Sequence, residues 1–208
     1  MEPNALRWIT VAILSLLLSY FLIRIFNPKS TFNSAIRNTG ENSRYSLAKS
    51  QLLWWTVIIT VCFAISFAEK GVIENVLNTS CLTLLGISLG TTTAGKVIDN
   101  TEEANPQILR HQVCEPKTSF WMDILSDHDG VSLHRFQSLI FNVLFGIVFI
   151  VQFFEVNLEK GNLPEFDSTT LGLIGLSSGG FVALKFNENT TKQNSQVAQQ
   201  PPQPAKQE

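Results

Sequence analysis

The sequence predicts an all-α, polytopic membrane protein with five transmembrane helices, one leading helix followed by two parallel-repeat hairpins. Three observations carry that reading. Charged residues avoid five windows, 8–23, 52–68, 76–95, 136–154 and 168–184, each long enough, or nearly so, to cross hydrocarbon about 30 Å thick as helix. One stretch occurs twice: Ser46-Leu47-Ala48-Lys49-Ser50-Gln51 leads into an apolar span, and Ser132-Leu133-His134-Arg135-Phe136-Gln137 repeats its Ser, Leu, cation and Gln at the same spacing. The return segments match too, since Gly86 to Lys96 and Gly175 to Lys185 keep one spacing. Finally, of the fifteen Lys and Arg residues, only Arg7, Lys70 and Lys160 fall on one side of such a layout. Under the positive-inside rule this predicts an N-terminus outside, a C-terminal tail in the cytoplasm and two hairpins pointing the same way.

Residues 1–26 read as the leading transmembrane helix. Its apolar run exceeds a signal-peptide core and no small-x-small cleavage site follows it, so it is expected to be retained, with Arg7 and Arg24 reaching the two interfaces. Pro28 stops it, having no N–H to donate and restricting the residue before it. Residues 27–44 are a polar cytoplasmic connector carrying Lys29, Arg37 and Arg44 against a single acid, Glu41. Residues 45–96 are the first hairpin, with Trp54 and Trp55 near the start of its outgoing helix and Glu69-Lys70-Gly71 at that helix's end. Residues 97–130 are a cytoplasmic loop. Within it Phe120, Trp121, Ile124 and Leu125 share one helical face, which predicts a short interfacial helix N-capped by Ser119. Residues 131–185 are the second hairpin, with Ser132 as a cap. Residues 186–208 are rich in Gln, Asn and Pro, hold almost no large apolar side chain, and are expected to be disordered.

Catalytic and metal motifs are sparse. There is no phosphate loop, GxSxG or HExxH. His111-x-x-Cys114 is a lone ligand-type pair beside His128 and His134, and zinc sites prefer a second close pair. Asp127-His128-Asp129-Gly130 resembles part of a calcium loop, but the first ligand position falls on Leu125 and the twelfth on Phe136. Cys62, Cys81 and Cys114 are odd in number and lack CxxC spacing, so no disulfide framework is read from them. No cofactor and no enzymatic activity is expected. A net charge of −2 without a concentrated basic face gives no case for nucleic acid.

Helix packing carries the clearer message. Gly86 with Gly90, and Gly175 with Gly179, each place two glycines one turn apart on a helix face, with Ser88, Thr91, Thr92, Ser177 and Ser178 beside them. In lipid such faces let backbones approach and hydroxyls bond across helices. They are expected to join the two hairpins as a pseudo-twofold pair about the membrane normal. Asn142 and Gln152 are the intramembrane polar candidates, read as interhelical hydrogen-bonding groups. Gln51 and Gln137, at equivalent repeat positions, are expected at the inner interface, where an amide can reach a helix end or the partner repeat.

The blocks YSLAKSQLLWWTVII, ILSDHDGVSLHRFQ and LPEFDSTTLGLIGLSSG resemble a bacterial family of functionally unassigned multi-pass inner-membrane proteins, over roughly residues 44–185. The family's loop string is matched by Arg110-His111-Gln112, Phe120 and residues 123–137. Its return helix is matched by Leu163-Pro164-Glu165 and residues 173–185, except that Gly180-Phe181-Val182 stands where the family has Thr-Tyr-Leu. The resemblance implies a bacterial inner membrane and brings no activity or site residues. The expected function is a membrane scaffold or interaction protein. Its expected partners are the lipid bilayer, further copies of the chain, or a membrane or cytosolic protein. The alternative is an oligomeric, weakly selective pore lined by Thr91-Thr92-Thr93, since no filter motif or charged ring lies inside the spans.

Overall fold

The protein is seen in a computed structural model that describes residues 3–27, 30–38, 44–71, 76–104, 119–127 and 130–199. Its regular structure among these is helical, apart from a two-residue antiparallel pairing and an isolated bridge between Arg37 and Tyr45. The elements are α1 (Pro3–Phe26), a 3-10 turn (Thr31–Ile36), α2 (Leu47–Lys70), α3 (Thr79–Ala104) and α4 (Phe120–Leu125). They continue with β1 (Ser126–Asp127), β2 (Gly130–Val131), α5 (Leu133–Gln152), a π turn (Phe153–Asn157), α6 (Leu158–Lys160) and α7 (Ser168–Gln199). Among the described residues five stretches are long and apolar enough to cross a membrane: Arg7–Phe26, Leu47–Lys70, Thr79–Thr101, Leu133–Val156 and Ser168–Phe186. The predicted fold class holds.

Local chemistry sets the helix ends. Gly71 closes α2 in the left-handed region at φ 67°, where only glycine sits without strain, and its N–H bonds to the Phe67 carbonyl. Asn78 caps α3, its Oδ1 accepting the Cys81 N–H at 2.9 Å. Asp167 caps α7 in the same way, accepting the Thr170 N–H at 3.2 Å. Hydrogen bonds from the Thr170 hydroxyl and then its amide hold the Asp167 carboxyl below the usual carboxylate range. Ser132 stands at the N-cap of α5 with its carbonyl accepting the Phe136 N–H but with no side-chain capping bond, and its hydroxyl turns to the His134 ring, 2.8 Å from Nδ1. Ser119 likewise stands at the cap of α4 with no capping bond.

Two helix ends and the burial of one helix face differ from expectation. α3 runs past Lys96 to Ala104, into what reads as loop, and α7 runs past Lys185 to Gln199, where disorder is expected. Low apolar content removes a reason to pack but does not stop elongation, because adding a residue to an existing helix costs far less than nucleating one. Gln and Lys are moreover fair helix formers. The third difference is in α4: Ile124 is buried and Phe120 and Leu125 half-buried, while Trp121 of the same predicted face is 60% exposed. Phe120 stacks edge-on against Tyr45 and Phe26, so α4 packs on the bundle through Phe120 and Ile124.

α2, α3, α7 and α5 form a four-membered ring in that order, with α1 outside against α2. Corresponding helices of the two repeats, α2 with α5 and α3 with α7, are therefore side-by-side neighbours. A twofold axis along the membrane normal would put each corresponding pair on a diagonal, so the pseudo-twofold expectation is corrected to a lateral displacement of one hairpin beside the other. The core between them holds Trp55, Ile58, Ile59, Cys62, Leu84, Phe149, Phe153 and Ile174. α1 runs antiparallel to α2: the Arg7 guanidinium abuts Gly71 at one end, and the Ile25 carbonyl accepts the Asn33 side-chain amide at 2.6 Å at the other.

At the Gly71 end the two hairpin turns are tied together. Asn78 Nδ2 donates to the Leu163 and Pro164 carbonyls at 2.8 and 2.9 Å. Ser80 Oγ exchanges hydrogen bonds with the backbone of Phe166. One side chain, Asn78, thus caps its own helix and anchors the opposite turn. Asn78→Ala is expected to lose about 1–3 kcal/mol of stability, with Asn78→Ser, which keeps the cap but not the carbonyl ties, falling between it and wild type. Thermal unfolding in mild detergent measures both, and equal midpoints for all three proteins would refute the tie.

Candidate functional site

A polar seam runs between α2 and α5. Gln51 Nε2 donates to Ser138 Oγ at 2.9 Å, and Asn142 Nδ2 donates to the Ser138 carbonyl at 2.8 Å. The Trp55 indole N–H donates to Asn142 Oδ1 at 2.7 Å, and that of Trp54 to the Asn142 carbonyl at 3.1 Å. Gln51, Trp55, Ser138 and Asn142 are all buried. Ser138, Asn142 and Gly146 are spaced by four, so they form one stripe of α5. At Gly146 a Cβ would overlap the Trp54 indole, so the glycine is what admits that ring. Asn142 is thus where the sequence places it, as an interhelical hydrogen-bonding group. Ser138 and Gly146, which the four-residue spacing on α5 signals, were not singled out, and the indole partners Trp54 and Trp55 come from α2, where no spacing on α5 points to them.

Gln51 reaches the partner repeat, but its equivalent Gln137 is exposed. Gln152 is half-buried at the last position of α5, before the π turn, and makes no hydrogen bond with a described residue. Its expected role in bonding helices is not seen. His111, Cys114 and His128 lie outside the described residues, and among the described residues no cluster of metal-ligating side chains forms.

The glycine faces are corrected. Gly86, Gly90 and Gly179 have nothing within 4 Å of a built Cβ, and Gly175 has only the end of Ile87 at 3.6 Å. α3 instead buries Leu84, Ser88 and Thr91, and α7 buries Ile174, Ser178 and Phe181. These are spaced by four and three, the inward stripe of a helix. Gly86 and Gly90 lie two residues off that stripe, about 200° around the helix, which turns them outward. They line an open groove of about 950 Å³ with Leu89, Thr93, Val97 and, from α7, Val182 and Phe186. The threonine triplet fans out rather than sharing a face. Thr91 is buried and bonds to the Ile87 carbonyl, Thr92 bonds to the Ser88 and Ala48 carbonyls, and Thr93 is exposed.

The end of the bundle opposite Gly71 is basic. Lys185 Nζ pairs with Asp99 Oδ1 at 2.8 Å, tying α7 to α3. Lys49 donates to the Arg37 carbonyl. Its equivalent in the second repeat, Arg135, instead lies over the Phe181 ring, 5.4 Å from its centroid. Lys49, Lys96 and Asp99 border a cavity of about 430 Å³ between α1, the 3-10 turn, α2 and α3. A second cleft, about 360 Å³ and almost wholly apolar, lies between α1, α2, α4 and α5 with Gln51 and Asn142 on its wall.

The seam and the outward glycines respond oppositely to bulk. Gly146→Leu is expected to destabilise the monomer strongly, since even one added methylene in a packed core costs about 1–3 kcal/mol when it forces a shift, whereas Gly90→Leu should leave the unfolding midpoint within a degree or two. Asn142→Ala should cost roughly 1–2 kcal/mol by leaving the Trp55 N–H unpaired. Thermal unfolding of the three variants decides it: a stable Gly146→Leu protein would dissolve the seam.

No protein-family model, no curated protein and no solved structure matches this chain.

Proposed function

We propose that the chain is a non-enzymatic scaffold of the bacterial inner membrane, a multi-pass protein that holds neighbouring membrane components rather than transporting or converting a substrate. The observation that supports it best is the fate of the polar groups within the spans. Gln51, Ser138, Asn142, Trp54 and Trp55 are consumed in bonding α2 to α5. The windows 8–23, 52–68, 76–95, 136–154 and 168–184 contain no Asp, Glu, Lys, Arg or His. Proton relays and coupled carriers depend on such groups, so the chemistry left to this bundle is recognition. The outward pair Gly86 and Gly90 supports the same reading, because a small-residue face gives another helix close approach. A second copy of the chain is the first occupant to test, with a different membrane protein as the other outcome.

Wild-type protein in mild detergent is expected to run as an oligomer by light scattering, and Gly90→Leu as a folded monomer with an unchanged unfolding midpoint. Unchanged mass in Gly90→Leu would remove the glycine face from the argument. A weakly selective pore is the second reading, favoured by Thr93 sharing the groove with Gly86 and Gly90. Planar-bilayer recordings separate the two: discrete openings abolished by Thr93→Leu would replace the scaffold with the pore.

The proposed orientation places the N-terminus outside and the tail in the cytoplasm, on the strength of the one-sided Lys and Arg distribution. Single cysteines at Asn4 and Lys160 should react with an impermeant thiol reagent in intact cells, and one at Gln203 only after lysis. The reverse pattern would invert the molecule.

A further inference from the structure

We infer that the basic cavity between α1, α2 and α3 is a binding site for an anionic phospholipid. The site goes beyond the scaffold reading and does not depend on it. Lys96 and Lys185 lie within electrostatic reach of Lys49, with Asp99 the acid among them. That acid is engaged by Lys185 at 2.8 Å, both side chains being largely shielded from solvent. The Lys49 ammonium is held on a neutral acceptor, the Arg37 carbonyl, and Lys96 forms no ion pair with a described residue. Among the described residues these three ammonium groups face one carboxylate, so Lys49 and Lys96 stand as an excess of positive charge at the rim of the cavity. Like charges gathered beside an apolar wall repel one another, and a bound anion of one or two negative charges relieves that repulsion.

The shape of the cavity supplies the second half of the argument. Its charged rim is at the ends of the spans, where Lys49 sits in the first turn of α2 and Lys96 in the last turns of α3 before Asp99. Its wall then continues inward as Ile25 and Phe21 on α1 and Leu52, Leu53 and Thr56 on α2. Those α2 positions lie three to seven residues beyond Lys49, which is roughly 5–10 Å deeper along a helix. A cationic rim over an apolar slot, aligned with the axis of the spans, matches a phosphate followed by acyl methylenes. A free phosphate would satisfy the rim and leave the slot unused. Basic pockets between transmembrane helices at a bilayer surface take anionic headgroups by the same physics. The volume of about 430 Å³ holds a headgroup and the first part of a chain, not a whole lipid. The remaining chain would lie along α1, whose surface carries exposed Leu16, Leu17 and Ile13.

The probe is full-length protein in detergent, equilibrated with equimolar phosphatidylcholine and cardiolipin and examined by native mass spectrometry. Wild type is expected to retain cardiolipin in preference to phosphatidylcholine. Lys96→Gln, at an exposed position that no described contact depends on, should weaken that retention about fivefold, the effect expected of one lysine near a headgroup. Lys160→Gln, at the other end of the bundle, should leave it unchanged. Leu53→Ser should weaken retention without altering any charge, which a purely electrostatic patch would not do. Circular dichroism of each variant confirms the fold, so that loss of lipid is not loss of structure. Equal retention of the two lipids by wild type, or equal cardiolipin retention by Lys96→Gln, would overturn the site. Protection against unfolding by inorganic phosphate alone, dependent on Lys96 and without any lipid preference, would overturn the lipid and leave a soluble anion as the ligand.

Discussion

A polar group inside a bilayer has no water to fall back on, and the hydrogen-bonded seam between α2 and α5 answers that constraint here. Two indole N–H groups and one primary amide on α2 meet acceptors on α5. Hydrophobicity cannot do this work, because lipid tails are as apolar as leucine. Geometry and hydrogen bonding must hold the helices instead. The seam fixes which helices are neighbours, and with α2 beside α5 the return helices α3 and α7 are brought side by side as well. The outward position of Gly86 and Gly90 then follows from the inward stripe of Leu84, Ser88 and Thr91 on the same helix.

Residues at matching positions of the two hairpins do different things. Lys96 borders an open cavity, while its counterpart Lys185 is committed to Asp99. Lys49 is held by a carbonyl, while its counterpart Arg135 rests on an aromatic face. Gln51 is buried in the seam and Gln137 is exposed. Side-by-side packing puts these matching positions in different surroundings. Under a twofold axis both copies would meet the same environment, whereas lateral displacement gives the first hairpin α1 on a flank that the second hairpin does not have.

Much of the architecture was legible in the sequence because length and apolar content are properties of a window, not of a partner. The five spans, the turn at Gly71 and the short helix near Phe120 could be read that way. What could not be read was the direction each face points. The spacing of Gly86 and Gly90 says that they share a face, but only the longer stripe of Leu84, Ser88, Thr91 and Gly95 says that this face is the wrong one for internal packing. Asn142 was visible as a polar residue in an apolar span. Its partners lie nearly ninety residues away on α2 and needed the fold to be found. The helical course of α7 beyond Lys185 was hidden for another reason: composition reports on burial, and a helix can continue without it.

The ties at the Gly71 end have a consequence for the order in which the chain is made. Asn78 and Ser80 are synthesised long before residues 163–166, whose backbone they bond, about 85 positions later. Gln51, Trp54 and Trp55 wait equally long for α5. At roughly 5–20 residues per second, the first hairpin exists without its partners for roughly 4–17 s. During that interval its amide, hydroxyl and indole donors face lipid or whatever the insertion machinery offers. The newborn hairpin is therefore a client, and the second hairpin, arriving beside it in the same orientation, is what releases it.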